Sequence, residues 1–518
     1  MFRLPRTARP LSALLLASAL LASCGLFQPE GEEIETERPD VEVRGLWVDA
    51  FGTGIEAGAG MKTPEEITKL VKDARRMNVN TLYVQIGRRG DCYRNNAAMP
   101  RTDDPAVTPG FDPLADVIEK AHAQGIQVYA WIITTAIWNS ATAPTSPEHA
   151  FNRHGLNAAG RDNWLMVKND GTLRGGADWY LDPGHPDAAE YIKNMYVSVA
   201  RNYAVDGVQF DRVRYPDYNP VGGPNNWGYN ETALGRFRAE TGATGTPEPG
   251  DPAWTAWRRQ QVTNLVRETA LAVKAVKPDV AISAATITYG EGPADEAGFL
   301  NTRPYTEVLQ DWPEWVRAGY LDTNVMMNYK RDHVAAQALW FGQWNAFAAG
   351  LKRAYPWTEQ VSGAALYINY QAGSVAQVRQ AQAAGLDGWA GYSYRNPDLD
   401  VAASPPTKTQ AVAFEELAAR LTAADGPFPT FAERPGLAVS ALRAVSGRVT
   451  GERLGGHTAE LLNASGQVVA TTQTDGNGHY GFFRVPAGTV SVRVGGQAAV
   501  SFTARAGRVT RLADVRLP

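Results

Sequence analysis

From residue 42 to residue 424 the chain repeats one pattern. A short apolar, β-branched run is followed by a longer stretch with apolar residues three or four positions apart. "VRGLWVDAF" (43–51) reads as a buried strand, and "TPEEITKLVKDARRMN" (63–78) as a helix opened by a Thr63 cap and Pro64. "TLYVQIG" (81–87), "PLADVIEKAHAQG" (113–125) and "IQVYAWIIT" (126–134) continue as strand, helix and strand. A long connection rich in Asn, Gly, Trp and His, 135–183, leads to the helix "HPDAAEYIKNMYVSVARNY" (185–203) and the strand "DGVQFDRV" (206–213). Four more rounds place strands at 280–286, 323–329, 364–369 and 388–394. Their helices fall at 254–276, 305–319, 333–350 and 374–385, with a last helix at 409–423.

Eight strands alternating with eight helices over about 380 residues predict a (β/α)8 TIM barrel. A doubly wound sheet is the competitor, but no glycine-rich phosphate loop follows the first strand, and no cofactor is expected. The longest strand-to-helix segments, after the second to fifth strands, would build a site on the C-terminal face. After the linker 425–442, "SGRVTG", "TAELLN", "QVVATTQT", "HYGFFRV" and "TVSVRV" alternate in period two between "DGNG" and "PAG" turns. That predicts a small all-β, Ig-like sandwich over 443–518, folding independently, so that the chain could end after Pro427 with the barrel intact.

The first 24 residues differ. Arg3, Arg6 and Arg9 precede the apolar run 11–21, too short to span a bilayer, and "LASC" ends it at Cys24. This is a signal peptide with a lipobox-like close, so Cys24 is expected to carry lipid and to anchor the protein at the cell envelope. The acidic stretch 25–41 reads as a tether. Cys92 is the second of two cysteines, so the body has no disulfide. A formal net charge of −4 gives no reason to propose nucleic acid as a partner.

The densest polar cluster, "VDGVQFDRVRYPDY" (205–218), closes the fourth strand. Asp211 is in phase with Gln209, so it faces the barrel interior at the exit, where catalytic groups of this fold sit. Arg212 and Arg214 could hold its carboxylate. General acid/base work at such a site commonly pairs two carboxyl groups, one protonated and one ionised. Glu291, beyond the fifth strand, is the second candidate, with Asp49, Asp91 and Asp332 as rivals. Gln85, Arg214, Asn328 and Tyr329 are candidate hydrogen-bonding groups for sugar hydroxyls. Trp131, Trp138, Trp389 and Tyr392 are candidate stacking surfaces. His149, His154 and His185 share one loop without metal-type spacing, so no metal is expected.

"YLDPGHPDAAEYI" (180–192) and "RNYAVDGVQFDRVRYP" (201–216) resemble the glycosyl-hydrolase-like 10 family of bacterial envelope proteins. "RGLWVDAF", "YVQIGRRGDCY", "YAWIITT" and "WVRAGYLDTNVMMNY" fall in the same order as in that family. The family often carries a second acidic residue where this chain has Arg212, and a proline where it has Met326. The C-terminal stretch "TDGNGHYGFFRVPAGTVSVRV" is similar to carboxypeptidase-regulatory-like or transthyretin-like modules, which are accessory. The resemblance implies a TIM-barrel lipoprotein that hydrolyses peptidoglycan glycan strands, with Asp211 at the family's acidic position. A non-catalytic barrel, binding wall glycan or an envelope protein through the same face, is the alternative.

Overall fold

The computed structural model describes residues 41–50, 60–220 and 222–518. The signal peptide, Cys24 and nearly all of the tether lie outside the described residues. Eight parallel strands close into a barrel: β1 (Val43–Val48), β2 (Thr81–Gly87), β3 (Gln127–Ile133), β4 (Gly207–Asp211), β5 (Ala281–Ile287), β6 (Thr323–Met327), β7 (Glu359–Ala365) and β8 (Gly388–Tyr392). Each pairs with its neighbours in sequence, and β8 closes on β1 with Val43 opposite Gly388. Helices cover the outer face, so the strands are buried on both sides. This is why they read as nearly continuous apolar runs.

The main covering helices are α1 (Pro64–Arg76), α2 (Pro113–His122), α3 (Pro186–Asn202), α4 (Pro252–Val276), α5 (Trp312–Arg317), α6 (Ala335–Ala354), α7 (Gln371–Ala383) and α8 (Gln410–Thr422). Their starts are written locally. The Thr63 hydroxyl accepts from the Glu66 N–H ahead of α1, and the Asp112 carboxylate from the Ala115 N–H ahead of α2, each with proline in the first turn.

Two elements depart from the sequence reading. The helix expected over 305–319 is broken into Arg303–Thr306 and α5, with Leu309 between them in the left-handed region (φ 55°). The seventh strand runs over 359–365 rather than 364–369. Its polar residues are satisfied from afar: Glu359 by Thr323 and Arg434, Gln360 by Asn324, and Ser362 by Asn345. Polar side chains with buried partners do not register in an apolar pattern.

Side chains alternate strictly inside the barrel. Trp47 Nε1 donates to Gln209 Oε1 at 2.7 Å, and Gln209 Nε2 to Ser283 Oγ at 3.2 Å, tying β1, β4 and β5 across the interior. Gly207 opens the lower layer to Tyr129, since a Cβ there would sit 2.3 Å from that ring.

The linker is not a loose connection. It crosses the N-terminal face of the barrel, where the Thr430 and Ala432 carbonyls accept from Arg44 and Asn80. Phe428 is fully buried against Trp389, and Arg434 enters the barrel floor to meet Glu359 and Gln127. Beyond it, two four-stranded sheets pack face to face. One holds β9 (Arg443–Thr450), β12 (His479–Phe482), β15 (Arg508–Arg511) and β16 (Val515–Arg516). The other holds β10 (Thr458–Leu462), β11 (Val468–Gln473), β13 (Gly488–Val494) and β14 (Val500–Ala504). The last three strands, β14 to β16, were not read from the sequence.

This sandwich has its own core of Val445, Leu461, Tyr480, Phe482 and Val492. It also docks on α4. The buried Arg267 donates to Thr472 Oγ1 and to the His479 carbonyl, and Asn477 donates to the Pro186 carbonyl at 2.9 Å. Phe483 joins the barrel's core. The sequence led to the expectation that the chain could end after Pro427 with the barrel intact; the barrel packs on residues beyond that point, Phe428 and Arg434 among them.

Candidate active site

Asp211 is the last residue of β4 and its side chain points into the C-terminal mouth, only 8% of the residue exposed. Oδ2 accepts from Trp131 Nε1 at 3.0 Å, and Oδ1 from the backbone N–H of Arg212 at 2.7 Å. The second contact depends on a special backbone, since Arg212 sits in the left-handed region (φ 50°). Such a conformation in a non-glycine residue persists only where its surroundings hold it. Here the Thr135 hydroxyl donates to the carbonyls of Arg212 and Arg214, and the Arg212 guanidinium is clamped on Asp178 at 2.6 Å.

The two arginines do not hold Asp211 by their side chains, as the sequence had suggested. Arg212 goes to Asp178, which also takes Arg89 at 2.6 Å; Arg214 goes to Asp217 at 3.5 Å. The two guanidinium groups keep the Asp178 carboxyl below its ordinary range against the cost of burial. Asp217 in turn accepts from the Tyr289 hydroxyl at 2.7 Å. No sequence signal marked Asp178 or Arg89, because their meeting spans the long loop after β3.

Around Asp211 stands a set of aromatic rings. Trp131 from β3 and Tyr392 from β8 meet edge to face at 6.1 Å; Tyr392 stacks on Tyr329 at 5.6 Å and 18°, and meets Tyr367 at 6.0 Å. Trp47 packs beneath Tyr329 and Tyr392. Burial pushes the Tyr392 phenol well up, reinforced by the charges of Asp49 and Asp211, so it remains a hydrogen-bond donor. Gln85 faces the same interior. Its Oε1 accepts from the Ala50 N–H, while its buried Nε2 has no hydrogen-bond partner among the described residues. Trp131, Tyr329, Tyr392 and Gln85, named from the sequence by residue type near strand ends, thus share the interior side of the barrel with Asp211.

Other candidates lie elsewhere. Asn328 and Trp389 are corrected, because each is one residue out of phase with the interior. Asn328 donates to the Phe341 carbonyl and to Asn345 on α6, and Trp389 is buried against Phe428 on the outer side. Glu291 is not brought to Asp211. It is exposed and accepts from Gln343 on α6 at 3.0 Å, and Gly292 beside it abuts the backbone of the same turn. Trp138 lies on a hairpin of the long loop (Ala136–Trp138 with Trp179–Tyr180), donating to the Thr142 carbonyl and packing on His149.

Two of the rival carboxylates have structural partners. Asp49 is buried between Ser393 and Arg395, Asp91 accepts from the Arg89 N–H, and Asp332 lies against Gly373 on α7. Nδ1 of His149 and of His185 caps a helix, and each ring's Nε2 lies on a backbone carbonyl; His154 stacks on Trp164 at 3.4 Å. Cys92 is buried, and its thiol is pushed up to about 11 by desolvation.

Lys330, not flagged from the sequence, follows Tyr329 at this mouth. It is 5% exposed and donates to the Thr288 carbonyl at 2.6 Å, with no carboxylate pair among the described residues. Desolvation alone pushes it down from 10.5 to about 8. The folded state therefore resists charging, a cost that is full below about pH 8 and fades as pH rises through 10.5. Lys330→Met is expected to be more stable than wild type by about 1–3 kcal/mol at neutral pH. The gain should shrink near pH 10, as read by urea unfolding. A loss at neutral pH, or a gain independent of pH, would contradict this account.

Residues 42–350 match the model of the glycosyl hydrolase-like 10 family. The chain belongs to the glycosyl hydrolase-like 10 family. The family match spans β1 to β6 and part of α6, including Asp211, and stops short of β7, β8 and the sandwich. Among curated relatives, "Glycosyl hydrolase YngK" of Bacillus subtilis (strain 168) is 24% identical over 343 residues, covering 64% of this chain and 60% of that protein. "Glycosyl hydrolase DigH" of Escherichia coli (strain K12) is 25% identical over 349 residues, covering 60% and 73% respectively. The chain thus spans less than two thirds of the Bacillus relative. A solved glycoside hydrolase domain of PgaB (BpsB) from Bordetella bronchiseptica superposes with a TM-score of 0.47 at 16% identity, covering 72% of this chain and 98% of that one.

Proposed function

We propose that this chain is a lipid-anchored glycoside hydrolase of the cell envelope that cleaves glycan strands of peptidoglycan. The observation that carries the reading is Asp211, a carboxylate at the barrel mouth oriented by two N–H donors and ringed by Trp131, Tyr329 and Tyr392. Aromatic rings beside polar groups suit the apolar faces and hydroxyls of sugars. The names of the curated relatives support a glycosidase reaction, and the signal-like N-terminus with Cys24 supports the envelope. Asp49 and Glu291 are both committed to other groups, so the reading rests on Asp211 as the carboxylate that meets the scissile bond.

The test uses the purified full chain on glycan strands freed of stem peptides, on intact peptidoglycan and on a neutral β-glucan, with soluble fragments read by chromatography. Release from the stripped strands is expected, and Cys24→Ser is expected to leave the membrane fraction. Strands that pellet with the protein but release nothing would establish the binding-module reading instead. Unchanged membrane association of Cys24→Ser would refute the anchor.

A further inference from the structure

A cavity of about 350 Å³ lies at the opposite end of the barrel from Asp211, enclosed by the strand entrances, the linker and the sandwich. That volume is within the range of small-molecule sites, which favour domain interfaces. Its walls combine apolar and polar groups: Phe483 and Trp357 on one side, Tyr129 and Thr323 on the other. Glu359 pairs with Arg434 and Asp322 with Lys274, Asp206 lies 2.8 Å from the His122 ring, and Asp279 also lines the cavity.

Three lining cations have no carboxylate partner among the described residues, and one of them, Lys277, donates to the Tyr203 carbonyl at 3.2 Å. Arg443 and Arg484 both line the cavity, and among the described residues neither guanidinium has a carboxylate partner or a side-chain hydrogen bond. Arg484 is held in place without one. Its backbone is left-handed (φ 56°), its stem lies on Gly319, where a Cβ would come within 2.9 Å, and its guanidinium covers the Trp357 ring at 4.2 Å. Burial and the neighbouring Arg443 push Arg484 down to about 10, as expected for cations brought together without a counter-charge.

We propose that this cavity is a second ligand site, for a sugar-sized molecule bearing an oxyanion that Arg484 and Arg443 bind together. A guanidinium fork matches carboxylate and phosphate equally, so the shared chemistry is the oxyanion on a ring-sized body. The site is built by barrel, linker and sandwich jointly, which gives the sandwich a role apart from the catalytic mouth.

Calorimetric titration of the full chain with glucuronate, with glucose 6-phosphate and with neutral glucose, at fixed ionic strength, tests the proposal. One or both anions should bind and glucose should not, the tighter anion telling carboxylate from phosphate. Affinity should fall about tenfold or more in Arg484→Met and stay unchanged in Asp211→Asn. Ala438→Trp, which fills the cavity from the linker, should abolish binding even if Arg484→Met fails to fold. Binding of neither anion, equal affinity in Arg484→Met, or loss of binding in Asp211→Asn would overturn the site.

Discussion

Asp211→Asn is expected to lower glycan turnover about 10²–10⁴-fold while the protein stays folded, the range lost when a positioned proton-transfer carboxylate is removed. The substitution preserves shape but not chemistry. Asp211 now presents one oxygen to the Trp131 indole N–H and the other to the Arg212 backbone N–H. An amide keeps only one acceptor, so whichever donor faces the new NH₂ group loses its bond, and the remaining oxygen cannot attack or take a proton. The loss should fall on kcat rather than KM, because Trp131, Tyr329 and Tyr392 still offer their surfaces to the glycan. Near-ultraviolet circular dichroism and steady-state kinetics on stripped strands decide the matter. Turnover within a few-fold of wild type would remove Asp211 from the reaction.

A chain ending at Pro427 is expected to be far less stable than one ending at Gly436, although neither retains the sandwich. The shorter chain lacks Phe428, which is buried between Trp389 and the Arg44 guanidinium. It also lacks Arg434, whose guanidinium neutralises Glu359 in the barrel floor. Removing one partner of a buried ion pair costs up to about 3–5 kcal/mol, less to the extent that Glu359, which also accepts from Thr323, is opened to water. Losing the packing of a buried phenylalanine adds about 3 kcal/mol more. Urea midpoints of the two chains, or the soluble fraction where the shorter one cannot be purified, measure the difference. Comparing two truncations on either side of the linker cancels the shared loss of the sandwich's contacts with α4. Equal midpoints would show that the linker merely passes over the barrel.

The alternation of apolar runs and helical spacing was enough to predict the barrel, because strands of a parallel barrel are buried on both faces and most of them read as near-continuous apolar runs. The same period placed Asp211 at the mouth, in phase with Gln209, since two-residue alternation from a correctly placed strand leaves little freedom. Gln85, Trp131, Tyr329, Tyr392, Asn328 and Trp389 were chosen by residue type near strand ends, not by phase; Asn328 and Trp389 fall on the outer side because adjacent residues of a strand face opposite ways. What only the tertiary structure decided depends on partners distant in sequence. The seventh strand was hidden because Glu359, Gln360 and Ser362 look like loop residues until Arg434, Asn324 and Asn345 reach them. Arg212 reads as a counter-charge for Asp211 until Asp178 draws its guanidinium away and turns its backbone N–H inward. The stretch 425–442 reads as a linker by its prolines and glycines, yet Phe428 and Arg434 are held by residues as distant as Arg44 and Gln127. Local pattern fixes which face a residue takes; only the folded chain fixes which charges and rings it meets there.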